Sequence, residues 1–464
     1  MPDDVLAGSP KGALPFLPSP KLGFKHLTHA SSDTASRIDQ RVTHSMKPLH
    51  ILLATTGSSP QVITETLYAI AHERRTWPDE IYLITTRLGK TKAQQGLIAQ
   101  GHLQRLCQQL QRPLPAFDES HILVVPNAQG EPVEDARSLA DHEALADFIM
   151  TEVRNRTAQP HCSLHASLAG GRKTMTFYMG YAMSLFGRAQ DSLSHVLVSE
   201  GYENIPDFWF PTNADAHRHI RTASGHTLDA SAARVTLAPI PFIRHRHNLP
   251  EVLLQASAPE PEPVRFAQLV QLINLGENPE GLQLIVDIRQ RCIRLESAAP
   301  ALCLVFHPSA IDLAFFCLMA RASIAHENDI TRPASGKADP SLAKLMLDEL
   351  MPLCGLQSCG DWRQDLNALS NWNITRAEFK DASLTTLQKG VSQSWFDTRK
   401  NTLGQLFAQR LPAKLAQWLA PAIVWSETGQ RLDWRLQDTT PKRGGYGLPL
   451  PAAQIRIVEA LHRH

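Results

Sequence analysis

Residues 163–187 read SLHASLAGGRKTMTFYMGYAMSLFG. The opening segment has the character of a strand, Gly170 and Gly171 break it, and the run that follows to Phe186 reads as a largely buried helix. A strand that enters a helix through a glycine turn is half of a βαβ unit, and such units build parallel sheets covered on both faces. The same grammar continues on either side. LHILLATTG (49–57) is an apolar strand ending in a turn, and PQVITETLYAIAHE (60–73) is an amphipathic helix with Val62, Leu67, Ile70 and Ala71 on one face. EIYLITTR and HILVVPN read as strands, with helices expected over 92–111 and 142–156. SHVLVSEGYE supplies a fifth strand and DFWFPT (207–212) a short sixth. Near-continuous apolar strands in this alternation predict an α/β domain with a parallel sheet covered on both faces over about 48–215.

The flanks differ in composition. Residues 1–47 are rich in Pro, Ser, Gly and Lys without a sustained period, as in a flexible extension. ASAPEPEPVR (256–265) is Pro/Glu-rich and marks a linker placed at 246–265. Beyond it, LQLIVDIRQRCIRLES (282–297) alternates like an antiparallel hairpin, and HPSAIDLAFFCLMARAS (307–323) reads as a helix. A polar, poorly periodic insertion is expected over 327–375, then helices over 383–393 and 394–420. AIVWSETGQRLDWRLQD (422–438) reads as a strand pair about the turn Glu427-Thr428-Gly429. That order predicts a C-terminal α+β domain over 266–464 that is winged-helix-like.

The chain of 464 residues carries 46 Lys plus Arg against 45 Asp plus Glu, a balance that excludes a uniformly basic nucleic-acid binder but not a local basic cleft. No apolar run approaches a membrane span, and the N-terminal residues lack the pattern of a signal peptide, so a cytoplasmic location is expected. Seven cysteines without a CxxC pair are expected to be reduced and packed; no metal site and no cofactor is expected.

Two turns carry chemistry. Thr55-Thr56-Gly57-Ser58-Ser59-Pro60-Gln61 offers hydroxyls, a close backbone approach at Gly57 and a helix N-terminus. Gly170-Gly171-Arg172-Lys173-Thr174 offers a forked cation, a point charge and a capping hydroxyl. Neither fits G-x-x-x-x-G-K-[ST] or G-x-G-x-x-G, which argues against a nucleotide triphosphatase and a dinucleotide site. Together they suit an anionic, phosphate-rich ligand.

The pair ATTGSSPQVITETL and SLAGGRKTMTFYMGYA, about 110 residues apart, resembles the CRISPR-associated Rossmann-fold (CARF) family of cyclic oligoadenylate sensors. VVPNAQGEPVEDARS and DFWFPT fit its ring nuclease branch, and the resemblance, which covers 48–245, implies a Rossmann-like ligand-binding domain there. The resemblance implies a homodimer whose two copies of both turns surround a ring of AMP units, with cyclic tetra-adenylate favoured, and metal-independent cleavage of that ring. Lys173, Arg172, Ser58 and Ser59 would then do the catalytic work. Thr55, Thr56, Gly57, Gln61, Gly170, Gly171, Thr174 and Met175 would complete the binding set. No histidine stands in either turn, so a general base would have to come from elsewhere.

Two other outputs fit the C-terminal part. Arg399 and Lys400 near a helix start, with Gln393, Asn401 and Gln405, and Lys442-Arg443 near a wing, are candidate DNA contacts of a ligand-controlled regulator. R-x4-H occurs at Arg156–His161 and Arg321–His326, a spacing that resembles HEPN ribonucleases.

Overall fold

The computed structural model describes residues 48–135, 137–203, 205–213, 218–222, 224–255, 264–298, 300–433 and 443–459. The expected extension 1–47, residues 256–263 of the linker placed at 246–265, and Lys442 lie outside them.

The first body alternates as expected. Its elements are β1 (Leu49–Thr55), α1 (Gln61–His72), β2 (Glu80–Thr85), α2 (Arg87–Ala93), α3 (His102–Leu110), β3 (Ile122–Val124), α4 (Leu139–Thr157), β4 (Cys162–Ser167), α5 (Lys173–Phe186) and β5 (Ser192–Val198). A small hairpin, β6 (His219–Arg221) and β7 (Thr227–Asp229), precedes β8 (Val235–Pro239). The main sheet runs β3-β2-β1-β4-β5-β8. Its first five strands are parallel, and β8 closes the edge antiparallel to β5. Alternate β1 residues feed two cores. Ile51 and Leu53 pack with α4 and α5, through Leu145, Ile149, Met179 and Met183; Leu52 and Ala54 pack with α1 and α3, through Ile63, Leu67, Leu103 and Leu106.

Two local readings are corrected. The sixth strand of the sheet is β8; DFWFPT is a loop whose Phe208, Trp209 and Phe210 are buried under it. The single helix expected over 92–111 is the end of α2 running into a π-helical turn at Gln94–Ala99, then α3, set off at Gly101 in the left-handed region. The π turn lays Gly96 against the Trp209 ring, where an added Cβ would lie 2.1 Å from Cη2.

The short helix α6 (Glu251–Leu254) still packs in the first core through Leu253 and Leu254, and the second body holds α7 (Phe266–Glu277), β9 (Leu282–Asp287), β10 (Cys292–Ser297), β11 (Leu302–Phe306) and α8 (Ala310–Ala325), the last capped by Ser309. The stretch expected to be aperiodic contains α9 (Pro340–Leu353) and α10 (Trp362–Arg376), each opened by an Asp cap at 339 or 361. Then follow α11 (Asp381–Lys389), α12 (Gln393–Ala408), α13 (Ala413–Leu419), β12 (Ala422–Trp425), β13 (Gly445–Gly447) and β14 (Ile455–Val458). The hairpin β9/β10 forms as expected, within a mixed sheet ordered β11-β10-β9-β14 in which β14 runs parallel to β9. The strand at β12 is present and its ladder partner is β13; across the 427–429 turn Trp425 bridges Arg431 and the Leu432 N–H donates to the Val424 carbonyl at 2.9 Å, while 434–438 of the expected second strand lie outside the described residues.

Helix α7 joins the two cores. Leu269 belongs to the first, and Leu272 and Leu275 to the second. Phe266 meets Tyr178 and Tyr181 of α5 edge-on at 5.3 Å each, and its backbone N–H donates to Asp147 Oδ1 at 2.6 Å. All seven cysteines are unpaired; five are buried, and Cys303 and Cys359 are exposed. No described helix is long and apolar enough to cross a membrane.

Candidate functional site

The strand order places the chain reversal between β1 and β4: from β1 the chain builds outward through β2 and β3, then returns to β4 and builds the other way. Carboxyl ends at such a switch point diverge and leave a crevice, where open α/β sheets bind ligands. The two glycine turns follow β1 and β4. They are the crevice.

They also touch. Thr55 Oγ1 donates to the Gly170 carbonyl at 2.7 Å. A Cβ on Gly170 would lie 3.0 Å from the Thr55 carbonyl oxygen and 3.1 Å from Val62 Cγ2, so only glycine lets the second turn settle on the first. Gly171 has φ 98°, in the region that disfavours side chains. Thr55 and Thr56 are fully buried, and Thr56 Oγ1 is spent on the Ser59 carbonyl at 2.9 Å. Met175 is fully buried beneath Gly171. These three, expected as ligand contacts, support the turns from below. Ser58 and Ser59 are exposed on the rim.

Both helices start without a side-chain cap and without an acidic residue in the first turn. Their free N–H groups and dipoles therefore offer partial positive charge to the crevice. Lys173, the first residue of α5, is exposed, and no ion pair joins it to another described residue. Thr174 Oγ1 is buried without a hydrogen-bond partner. Arg172 is differently placed. Its Nε and a terminal nitrogen donate to the two Asp135 oxygens at 2.7 and 2.5 Å. Asp135, also held by Arg137, is driven down to about 2 by these hydrogen bonds. The loop VVPNAQGEPVEDARS thus meets the second turn through one carboxylate, a contact between residues 37 apart that no local pattern announces.

Beside the turns opens a cleft of about 660 Å³, in the size range of small-ligand sites. It begins at Ser58, Ser59 and Ala169 and is walled by α1, the π turn, β5 and the loop carrying Trp209. Gly57, Gly170, Gly171, Arg172 and Lys173 are not among its walls. It brings in groups the sequence reading did not single out: Glu65, Lys92, His102, His195, Glu203 and Arg218. His195 on β5 has its Nδ1 3.3 Å from the Leu168 carbonyl, at the start of the glycine turn. His102 stacks on Trp209, with ring centroids 4.0 Å apart, and burial pulls its pKa down to about 4. Among the described residues no three His, Cys, Asp or Glu side chains group to hold a metal.

The C-terminal candidates are mostly engaged elsewhere. Arg399 donates to Asp312 at 2.9 Å and lies over the Trp395 ring. Lys400 stands near Asp397, whose carboxyl is held low mainly by its ion pair with Arg332. Arg443 is exposed and lines a separate cleft with Gly444 and Tyr446. Arg321 is held by Glu349 at 2.7 Å and Glu459 at 2.8 Å, while His326 is the exposed C-cap of α8. Arg156 pairs with Glu152 and lies 4.0 Å over the Tyr82 ring. No described hydrogen bond or ion pair joins either arginine to the histidine of its motif.

Residues 59–274 match the family model described as CRISPR-associated protein NE0113 (Cas_NE0113). The match starts in the first turn, covers the rest of the first body and ends within α7. Over that segment the chain is similar to a CRISPR-associated family, in line with the association expected from the paired turns. No curated protein matches it.

Proposed function

We propose that this protein binds a cyclic oligoadenylate at the paired turns and slowly linearises it, ending a CRISPR antiviral signal. The observation that carries the reading is the contact between the two turns at the β1/β4 switch point, with two helix ends that lack a side-chain cap and a Lys173 that no ion pair joins to another described residue. The family match over 59–274 supports the CRISPR setting. Cyclic tetra-adenylate is the favoured ligand. A homodimer is the favoured assembly, because one copy of the crevice faces only part of a closed ring.

In this reading no cofactor or metal is required. The ribose 2′-oxygen attacks the adjacent phosphorus in line. A 2′-O–P bond forms, the P–O5′ bond breaks, and a 2′,3′-cyclic phosphate and a 5′-hydroxyl remain. Lys173 and the α5 N–H groups stabilise the charge that gathers on the phosphoryl oxygens. Ser58 and Ser59 hold the ribose and phosphate in line. Arg172 reaches the phosphate only in exchange for Asp135. His195, whose Nδ1 lies 3.3 Å from the Leu168 carbonyl at the start of the second turn, is the candidate acceptor of the 2′-hydroxyl proton.

The test is incubation with labelled cyclic tetra- and hexa-adenylate in EDTA, with products separated by chromatography. Linear products ending in a 2′,3′-cyclic phosphate are expected, reduced about 10²-fold in Lys173→Ala. Tight binding without products would make the protein a sensor, and binding of neither ring would sink the reading. Winged-helix DNA binding and HEPN-type RNA cleavage draw no comparable support, since Arg399 and Arg321 are bonded inward.

A further inference from the structure

Gln61 and Glu65 stand one turn apart on α1 and line the same cleft. Gln61 Nε2 donates to the Pro206 carbonyl at 2.9 Å. A carbonyl only accepts, so the amide orientation is set and Oε1 is its other end. That oxygen is buried and has no hydrogen-bond partner. A buried acceptor left unpaired in a cleft wall is a place that a donor from a ligand would complete. Glu65 is largely buried, and the carboxyl of Glu203 acts on it across the cleft. Burial disfavours the ionised form of Glu65 and the Glu203 carboxyl adds to that, so Glu65 tends to keep its proton and present an O–H donor. Burial, and then Glu203, raise its pKa to about 7. The other charged or titratable groups facing the cleft are Lys92, His102, His195, Asp207 and Arg218.

We propose that Gln61 and Glu65 select the base of the ligand: Gln61 Oε1 accepts from the exocyclic amino group of adenine, and the Glu65 carboxyl donates to the adjacent ring nitrogen. The inference rests on the ring-binding reading and deepens it by naming the residues that choose the base. An acceptor beside a donor complements adenine. Guanine and hypoxanthine present the reverse, a carbonyl oxygen beside a ring N–H, so acceptor would face acceptor and donor would face donor.

The experiment is calorimetric titration of the full chain at pH 6 with cyclic tetra- and hexa-adenylate and with their inosinate counterparts, alongside thermal unfolding. The wild type is expected to prefer an adenylate ring by roughly tenfold or more. Glu65→Ala is expected to lose most of that preference. Glu65→Gln, whose amide donates from the same position, keeps it. Gln61→Met, which retains side-chain bulk without the acceptor, replaces Glu65→Ala if that variant does not fold, and is expected to lose the preference as well. A wild type that binds both kinds of ring equally overturns the inference alone, as does an unchanged preference in Glu65→Ala or Gln61→Met. A wild type that binds no ring overturns the ring-binding reading and this inference with it.

Discussion

At Arg172 the sequence shows a cation and the structure shows a neutralised one. Its fork is occupied by Asp135, whereas Lys173 next to it has no described ion pair. An exposed pair of this kind contributes little to stability, but its carboxylate opposes any anion nearby. Asp135→Ala is therefore expected to leave the melting temperature nearly unchanged. It should tighten binding of a cyclic oligoadenylate several-fold and steepen the salt dependence, read by titration at two ionic strengths. Glu65 carries a second prediction. Its carboxyl, ordinarily near 4.5, titrates at about 7 in the fold, through burial first and Glu203 second. A raised folded pKa means the folded state holds this proton more tightly than the unfolded chain. The stability it contributes is fully present below about 4.5 and is lost as pH rises through 7. Glu65→Gln removes the titration, so its stability relative to wild type should rise by on the order of 2–3 kcal/mol from pH 4.5 to above 7. Denaturant unfolding at both ends of that window reads it, and a flat difference would reject the assignment.

Among the elements, the glycine turns are the ones whose conformation the chemistry needs. Gly171→Ala forces a side chain to φ 98° and brings its Cβ to 3.1 Å from Met175 Sδ. A loss of about 1–2 kcal/mol in unfolding free energy is expected, with Lys173 displaced from the crevice and ring cleavage reduced with it. Circular dichroism melts and the cleavage assay read the two effects separately. Strands β1 to β5 were legible because each is a compact apolar run that ends in a turn. Helices α9 and α10 were not, although Leu342, Met346, Leu347 and Leu350 lie on a buried face. Polar residues before α9 and Pro340 and Pro352 at its two ends broke the period into short pieces, and α10 buries few apolar side chains. The loop 207–212 has strand composition, but Trp209 and Phe210 cover α1 and α3 and Phe208 packs with Ile220 and Ala230, which leaves its backbone outside the ladder.

For the molecule as a whole, α7 is the member that both cores share. Phe266 lies against Tyr178 and Tyr181 on the helix that begins with Lys173, and Trp418 Nε1 donates to the Gly276 carbonyl of the same helix at 2.9 Å. Phe266→Ala removes the aromatic contacts on the first-body side and leaves the second core untouched. A destabilisation of about 2 kcal/mol is expected, seen as an earlier first transition in calorimetry, while binding at the turns persists. A single unshifted transition would mean that the two bodies are held together by other contacts.

The sequence by itself determined the alternation of strand and helix, the parallel sheet, and the two glycine turns that suit an anion. Those features are written in short windows, where burial period and backbone freedom act residue by residue. Only the tertiary structure decided which charges remain available. Arg172, Arg399 and Arg321 are engaged by Asp135, Asp312 and Glu349, each from a different element. It also brought His195 and Glu65 to one cleft from β5 and α1. An ion pair or a shared cavity depends on distance in space, and the burial that sets a carboxyl near neutrality exists only once the chain has closed around it.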